Sequence, residues 1–481
     1  MIARRTLAMA ALIALGGCTV GPRNPETTIA LPPVRSPETI AVQSDVVQTV
    51  TIGENVPAAW WRNFGSDKLD VLVAQLLAHS NDLASAEATL RQAREQARAA
   101  SGATGPQIDA SYQAQRVRVS RAFSNPLSSD PDQYLYTLHT AQVTVAYPLD
   151  LFGAGRNKVR SARAAVQVAA DRLVAARTTD IANLVLAVIQ HASLVAEIDA
   201  TRSAIASNQE LVTLLERRRA IGDVGEADVL SQQTALATAE TALPPLQRQA
   251  EHQEGLIATL TGQPAGGART DLPRFDELQL PADLPVSLPA DIVAHRPDVA
   301  AAAAQMRGAA ADVGTAIAAR LPAIQLTGNA GGAATHFLDM FATGNPFYAL
   351  AGSITQPIFH SGQLLHQQRA AEAAFDAAKA QYRSAALQAF LDVDDALAGL
   401  RSDADGETAA TRAQMAAVKA LAMVRRQVEL GAQGTLALLN ASAAAAQSTV
   451  QLIQTRASRL SDTVALYQAC GTGFNEEDGR K

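Results

Sequence analysis

The sequence predicts a mainly helical fold with a minor β component, organised as two structural repeats that each carry two strands and a long helical hairpin. Three observations predict it. Aromatic residues are only 4% of a 481-residue chain in which alanine dominates and long stretches lack Gly and Pro, the profile of long helices packed through small side chains. Pro148, Gly222 and Gly225 recur as Pro357, Gly431 and Gly434, all at one offset of 209 residues (357−148, 431−222, 434−225). At that same offset the apolar stripe Ile181, Leu184, Val188 maps onto Phe390, Val393, Leu397, so a whole supersecondary unit is duplicated.

The first element is a leader. Arg4 and Arg5 precede an apolar stretch from Thr6 to Leu15, and Leu15-Gly16-Gly17-Cys18 reads as a lipobox, so residues 1–17 are expected to be removed and Cys18 to be lipidated. Each buried CH₂ gives roughly 0.8 kcal/mol, so several acyl chains together hold a protein on a membrane. Residues 18–58, rich in Pro and Thr with little periodicity, suit an extended tether.

The first repeat is expected over 59–262. It opens with an Ala-rich amphipathic helix (Asn81 to Ala100), then Pro106 and a strand-like alternation over Gln107 to Tyr112. A polar loop over Ser124 to Gln133 separates this from a second strand, about Tyr136 to Tyr147. The turn Gly153-Ala154-Gly155 then opens a helix from about Arg156 to Ile221, with no proline inside. At 1.5 Å per residue such a helix is about 100 Å long, far beyond the globular average. Seven of ten heptad positions from Ile181 to Val212 are apolar, which fits a coiled-coil seam interrupted by polar residues. Gly222 permits the left-handed conformation that ends a helix, and Glu226 and Asp228 complement the next helix N-terminus. The returning helix carries Pro244-Pro245, which predicts a kink or a break.

Residues 263–289, dense in proline, read as an irregular linker. The second repeat, 290–470, repeats the grammar: a helix over Asp298 to Arg320, Pro322, a strand over Ala323 to Thr327, a loop over Gly328 to Pro346 and a strand over Phe347 to Thr355. Ser361-Gly362 opens a helix from Gln363 to Leu430, Gly431-Ala432-Gln433-Gly434 forms the tip, and a returning helix starts at Thr435. Cys470 is read as a small buried hydrophobe, and 471–481 as a tail.

After residue 18 no run of about 20 apolar residues is apparent, so a membrane crossing, if there is one, falls to strands. Four strands cannot close a barrel, since small membrane barrels start at eight, and several chains would have to pool theirs.

Several motifs carry a resemblance. Cys18-Thr19-Val20-Gly21-Pro22, Trp60-Trp61-Arg62-Asn63-Phe64-Gly65-Ser66 with Leu69 and Leu72, Pro244-Pro245, and Leu288-Pro289-Ala290-Asp291 followed by His295-Arg296-Pro297-Asp298-Val299 together resemble the TolC-type outer-membrane factors. The match is to their lipoprotein, NodT-like branch, which serves resistance-nodulation-division (RND) efflux systems. The resemblance implies a homotrimer whose 12 strands form one outer-membrane β-barrel and whose 12 long helices form a periplasmic α-barrel. It implies as partners a periplasmic adaptor (membrane fusion) protein, an inner-membrane RND pump and outer-membrane lipid. It also places adaptor docking and gating at the hairpin tips: Arg219, Gly222 and Gly225 in one repeat, Gly431, Gly434, Leu436 and Asn440 in the other. Asn440 stands where the family often has a carboxylate, so closure is expected to rest on Leu436, Leu439 and Asn440 rather than on a charged ring. Thr19, rather than Asp, after Cys18 favours the outer membrane.

Other classes find little support. The net charge of −6 supplies no basic patch for nucleic acid. The eight histidines are scattered, and neither His360 and His366 nor Gly153-x-Gly155 completes a metal or phosphate motif, so no metal or cofactor is expected. Asp392, Asp394 and Asp395 read as a solvated or lumenal face, and no catalytic constellation emerges. A protein-secretion duct and a lipid-anchored coiled-coil scaffold that forms no pore remain as alternatives.

Overall fold

A computed structural model describes residues 19–22, 38–40, 47–54, 56–118, 135–266, 271–286 and 296–471. The expected lipidation site, Cys18, and all but the first residue of the expected tail lie outside these.

The duplication is visible as matched element lengths. In the first repeat come α1 (Asp67–His79), α2 (Asn81–Gly102), β3 (Gln107–Arg118), β4 (Leu135–Leu149), α3 (Ala154–Ala220) and α4 (Glu226–Leu260). Two short strands, β1 (Glu38–Ile40) and β2 (Gln48–Ile52), precede them, and β5 (Asp283–Val286) follows. The second repeat has α5 (Pro297–Ala318), β6 (Ala323–Ala334), β7 (Pro346–Thr355), α6 (Gln363–Glu429) and α7 (Thr435–Cys470). Helices α2 and α5 are both 22 residues, β3 and β6 both 12, and α3 and α6 both 67. The 209 offset holds from Pro148 onward, but α2–β3 and α5–β6 stand 216 apart (322−106, 323−107), the first repeat being longer around its strand-to-strand connection.

Some boundaries move. Strand β6 runs to Ala334, well into the stretch expected as a loop, and a short 3-10 turn at Phe337–Asp339 takes up part of the rest. Gly331 and Gly332 make this possible: a Cβ on either would press into backbone, of Ala141 and Gln142 for Gly331 and of Met340 for Gly332, so only glycine lets the strand pass there. Pro244-Pro245 neither ends nor splits α4, which is continuous over 35 residues; Leu243 and Leu246, flanking the prolines, pack against the buried Leu194 and Ile198 of α3. The expected tether and linker are also not wholly irregular. β1 pairs antiparallel with β2, and β2 pairs parallel with β5, so tether and linker meet in a three-stranded sheet. Strands of three to five residues, one of them carrying Pro285, leave too little alternation for periodicity to register.

The chain divides into two compact units, one comprising residues 1–28, 89–169 and 302–382, the other 29–88, 170–301 and 383–481. The first contains a four-stranded antiparallel sheet in the order β3-β4-β6-β7. Its register sorts the side chains. One cross-strand row is Ile108–Val145–Gly328–Leu350 and the next but one is Ala110–Val143–Ala330–Tyr348; both lie on one face. The intervening row, Asp109–Thr144–Asn329–Ala349, lies on the other, together with Gln107, Ser111, Gln142, Gln325 and Ser353. The apolar side chains are exposed, Leu350 by 84% and Tyr348 by 82%, and so are Asp109, Gln325 and Ser353 on the polar face.

The second unit holds the larger core. Trp60, Phe64 and Tyr467 are fully buried and mutually packed, with Trp60 and Tyr467 ring centroids 5.3 Å apart. The Trp60–Phe64 turn ends at Gly65 in the left-handed region, and Ser66 caps α1 by accepting from Leu69 N–H. Beside this cluster runs a polar seam. Arg459, fully buried on α7, donates to Glu407 of α6 (2.9 Å) and to Gln48 of β2 (2.9 Å); Arg456 also reaches Glu407 (3.0 Å). Gln48 in turn donates to Pro281 O, which ties β2 to the linker. Farther along α6, Arg296 bridges Asp298 (2.7 Å) and Asp392 (2.8 Å) and donates to Ala469 O (3.1 Å). Burial works against the ionised form of Asp298, yet the adjoining guanidinium holds its carboxyl below the usual range. Asp392 thus belongs to an ion pair and not to a freely solvated face. Cys470 is fully buried, as expected.

Helices α3 and α7 each contain an 18-residue stretch apolar enough by length and composition to cross a bilayer, although neither holds an unbroken apolar run of about 20 residues. In α3 two-thirds of that stretch is buried within the protein, and the same helix carries the buried seam Ile181, Leu184, Val188 and Ile198. The seam lapses at the exposed Arg202 and Gln209 and resumes at Val212.

Candidate functional site: the paired hairpin tips

Each hairpin turns with the same hydrogen bonds. At the end of α3, Gly222 N–H donates to Arg219 O (2.9 Å) and Asp223 N–H to Arg218 O (3.0 Å). At the end of α6, Gly431 N–H donates to Val428 O (3.1 Å) and Ala432 N–H to Gln427 O (2.8 Å). Both are Schellman closures, and both put glycine at positive φ, +79° for Gly222 and +74° for Gly431. Gly225 and Gly434 do a different task. They are the extended N-cap residues of α4 and α7, with φ −80° and −83°. A Cβ on Gly222, Gly431 or Gly434 would meet nothing within 4 Å, so conformation and not crowding selects glycine at the first two.

The charged residues of the first tip are paired locally. Arg218 faces Asp223 (3.4 Å) and Arg219 faces Glu226 (3.5 Å), both partly exposed. Asp228 has two partners: one oxygen accepts from Gly225 N–H (3.2 Å), capping α4, and the other accepts from the Thr435 hydroxyl (3.0 Å) on the second repeat. Arg218 also crosses, donating to Val428 O (3.3 Å). Beneath these bonds Leu211, Val428 and Leu438 form a small buried cluster, with Leu421 and Val424 packed on it. The two tips are therefore side by side, joined by two polar links over one apolar contact.

The sequence placed Arg219 and the four glycines at these turns, where they are found. Leu436 is 67% exposed, and Asn440 is exposed, its side chain making no hydrogen bond among the described residues. Arg218, Asp228 and Thr435 were not singled out as a cross-repeat link. From the sequence Asp228 reads equally well as a helix cap or as a charge at the tip, because a side chain's second acceptor oxygen leaves no trace in spacing.

With this geometry in view, similarity to known proteins is informative. A profile of the outer membrane efflux protein family matches residues 72–263 and 288–472, one segment in each repeat. The chain is 28% identical over 420 residues to the pyoverdine export outer membrane protein OpmQ of Pseudomonas putida, covering 87% of this chain and 88% of that one. It is 29% identical over 486 residues to the toluene efflux pump outer membrane protein TtgC of the same species, covering 99% and 96%. Among solved structures, the outer membrane protein VceC of Vibrio cholerae superposes with a TM-score of 0.80 at 26% identity, over 87% of this chain and 100% of that one. The outer-membrane channel OprN superposes with 0.84 at 26% identity, over 95% and 99%. Matched in both repeats and over most of its length, the chain belongs to the outer membrane efflux protein family.

Proposed function

We propose that this chain is the lipid-anchored exit duct of a tripartite RND-type efflux pump, working as a homotrimer that carries small molecules across the outer membrane. The observation that carries the reading is the four-stranded sheet: apolar and exposed on one face, polar on the other, with β3 and β7 left as open edges. In water such a face and such edges invite aggregation; in a barrel pooled from three chains the edges pair, the apolar face meets lipid and the polar face lines a water-filled lumen. The relatives are export and efflux proteins for pyoverdine and toluene, which supports small-molecule cargo without choosing one.

In this reading the hairpin tips, with Arg219, Gly222, Gly225, Gly431, Gly434, Leu436 and Asn440, face a periplasmic adaptor and the inner-membrane pump, and Cys18 carries the lipid. No ring of carboxylates is needed at the tip: closure rests on the joined tips and on exposed apolar residues such as Leu436. The test is conductance of the detergent-extracted protein in planar bilayers, with its oligomeric mass measured alongside. A trimer with discrete, mostly closed channels is expected. Thr435→Val, which removes one link between the tips and leaves the Asp228 cap intact, should raise the open fraction severalfold. A monomer without conductance would sink the duct.

A further inference from the structure

We infer that Thr19-Val20-Gly21 is a clamp that seats the lipid-bearing end of the chain at the junction of β4 and α3, with Asn157 and Gly314 as its positioning residues. The inference rests on Cys18 being lipidated, as proposed above.

The observations are local and mutually consistent. Val20 N–H donates to Phe152 O (3.2 Å), between the end of β4 and the start of α3, and Val20 O accepts from the Asn157 side-chain amide (3.1 Å). Both backbone groups of Val20 are thus used, one on each side. Asn157 is 1% exposed, and its other side-chain atom, Oδ1, accepts from Arg160 (3.2 Å). An amide buried to that degree with both ends bonded is itself fixed, and so holds Val20 in place. Sterics say the same. A Cβ on Gly314 of α5 would fall 2.6 Å from Val20 O and against the Asn157 amide; a Cβ on Gly21 would sit on the Gly314 backbone; and one on Gly153 would press into Thr19. Gly21 and Gly153 also have positive φ, +105° and +84°. Three glycines and a buried asparagine therefore form a slot that fits this segment and little else.

The slot exists in only one repeat. At the 216-residue offset that relates α2 to α5, the position of Gly314 is occupied by Arg98, which is exposed. Turn geometry does not account for Gly314 either, because it lies inside α5, where glycine costs about 1 kcal/mol against alanine. Close passage of the N-terminal segment accounts for it.

The consequence concerns reach. A chain spans at most about 3.6 Å per residue, so with one residue between Cys18 and Val20 the anchor lies within roughly 7 Å of the slot. The acyl chains then enter the membrane at the foot of the strands and not at the end of a tether some forty residues long. Residues 19–21 are a fixed part of the body.

The experiment is a two-by-two comparison in the full-length protein expressed in a two-membrane bacterium. One variable is the lipid: native Cys18, or Cys18→Ala behind an ordinary cleavable signal. The other is a Gly-Ser-Gly-Ser insertion after Thr19, which keeps the Cys18-Thr19 pair but moves the anchor off the slot. The same insertion after Thr28 serves as control, since it leaves the distance from Cys18 to the slot unchanged. Palmitate incorporation and the yield of assembled outer-membrane oligomer are read for each. With lipid present, the insertion after Thr19 should lower the assembled yield about fivefold at unchanged palmitate labelling, whereas the control should stay within twofold of the native chain. Without lipid, the insertion after Thr19 should add no further loss. Full assembly of the labelled insertion variant overturns the clamp, as does an equal loss with and without lipid, which would make the segment purely structural. Absence of palmitate from the native chain overturns the lipidation reading itself and is distinguishable from both.

Discussion

Glu407 and Arg459 form a charged pair within a largely apolar core. Both are almost completely buried, and Arg459 joins α6, α7 and β2 through its bonds to Glu407 and Gln48. Removing one partner of a buried pair leaves the other charge without compensation, at a cost of about 3–5 kcal/mol. Glu407→Gln should therefore lower the unfolding midpoint sharply, while Arg456→Gln, at the half-exposed rim of the same network, should cost under about 1 kcal/mol. A second residue-scale effect lies one helical turn away. Asp403 is raised to about 6, first by burial and then by the neighbouring Asp462 carboxylate; Glu407 adds repulsion, and Arg459 offsets part of it. Asp462 is raised as well, again by burial, and Gly399 leaves room for it on α6. A carboxyl whose folded pKa lies above its unfolded value makes the folded state take up protons, so its stabilising contribution is present in acid and is lost as pH rises from about 4 through 6. Asp403→Asn should accordingly stabilise the protein at pH 7.5, by about 1 kcal/mol once solvent screening at this half-buried position is allowed for, and flatten the stability profile between pH 5 and 7. Thermal unfolding of both proteins at pH 5 and 7.5 checks the sign; a variant less stable than native at pH 7.5 would refute it.

At the scale of elements, the long helices were legible because their signals are local and redundant. Proline-free length, an apolar heptad and a glycine at each end converge on the same boundaries for α3 and α6 to within two residues. The small sheet β1-β2-β5 was not legible, because its stability resides in pairing between segments more than 200 residues apart, and Gln48 is buried there through bonds to Pro281 and Arg459 that no local window reveals. The tips were half legible. Glycine announces a left-handed helix end wherever it occurs, but a bond such as Thr435 to Asp228 depends on two repeats lying side by side. That difference can be measured. Gly431→Ala acts on the turn alone, forcing a Cβ into positive φ at an exposed site, and should cost about 1 kcal/mol locally, visible as faster hydrogen exchange of the last turn of α6. Asp228→Asn keeps an oxygen to accept from the Gly225 N–H, and its amide nitrogen can donate to the Thr435 hydroxyl instead of accepting from it, so it should loosen the tips less than Asp228→Ala, which removes the cap and the cross-repeat bond together.

For the molecule as a whole, the decisive asymmetry is between the two faces of the β3-β4-β6-β7 sheet. This protein is an outer-membrane efflux channel of TolC-like fold, and in the function proposed above its strands are the part that crosses lipid. The sequence indicated strands but assigned no face to lipid, because alternation alone does not say which parity is outward and the small residues Gly328, Ala330 and Gly352 blur the pattern along β6 and β7. Register sorts the residues into faces: Leu350 shares a row with Ile108 and Val145, whereas Ser353 pairs with Gln325 on the opposite face. The two positions are three residues apart on one strand, so they test the assignment with backbone context held nearly constant. A charge on a lipid-facing strand costs about 2–4 kcal/mol at the bilayer midplane, and one on the lumen side leaves membrane insertion intact. Leu350→Arg should therefore deplete folded protein from the outer membrane severalfold, while Ser353→Arg should insert normally and change ion selectivity toward anions through the charge added to the lumen wall. If the two phenotypes were exchanged, the apolar face would line the lumen and the barrel would be inside out. If both variants inserted equally well, the exposed apolar rows would not be in contact with lipid at all.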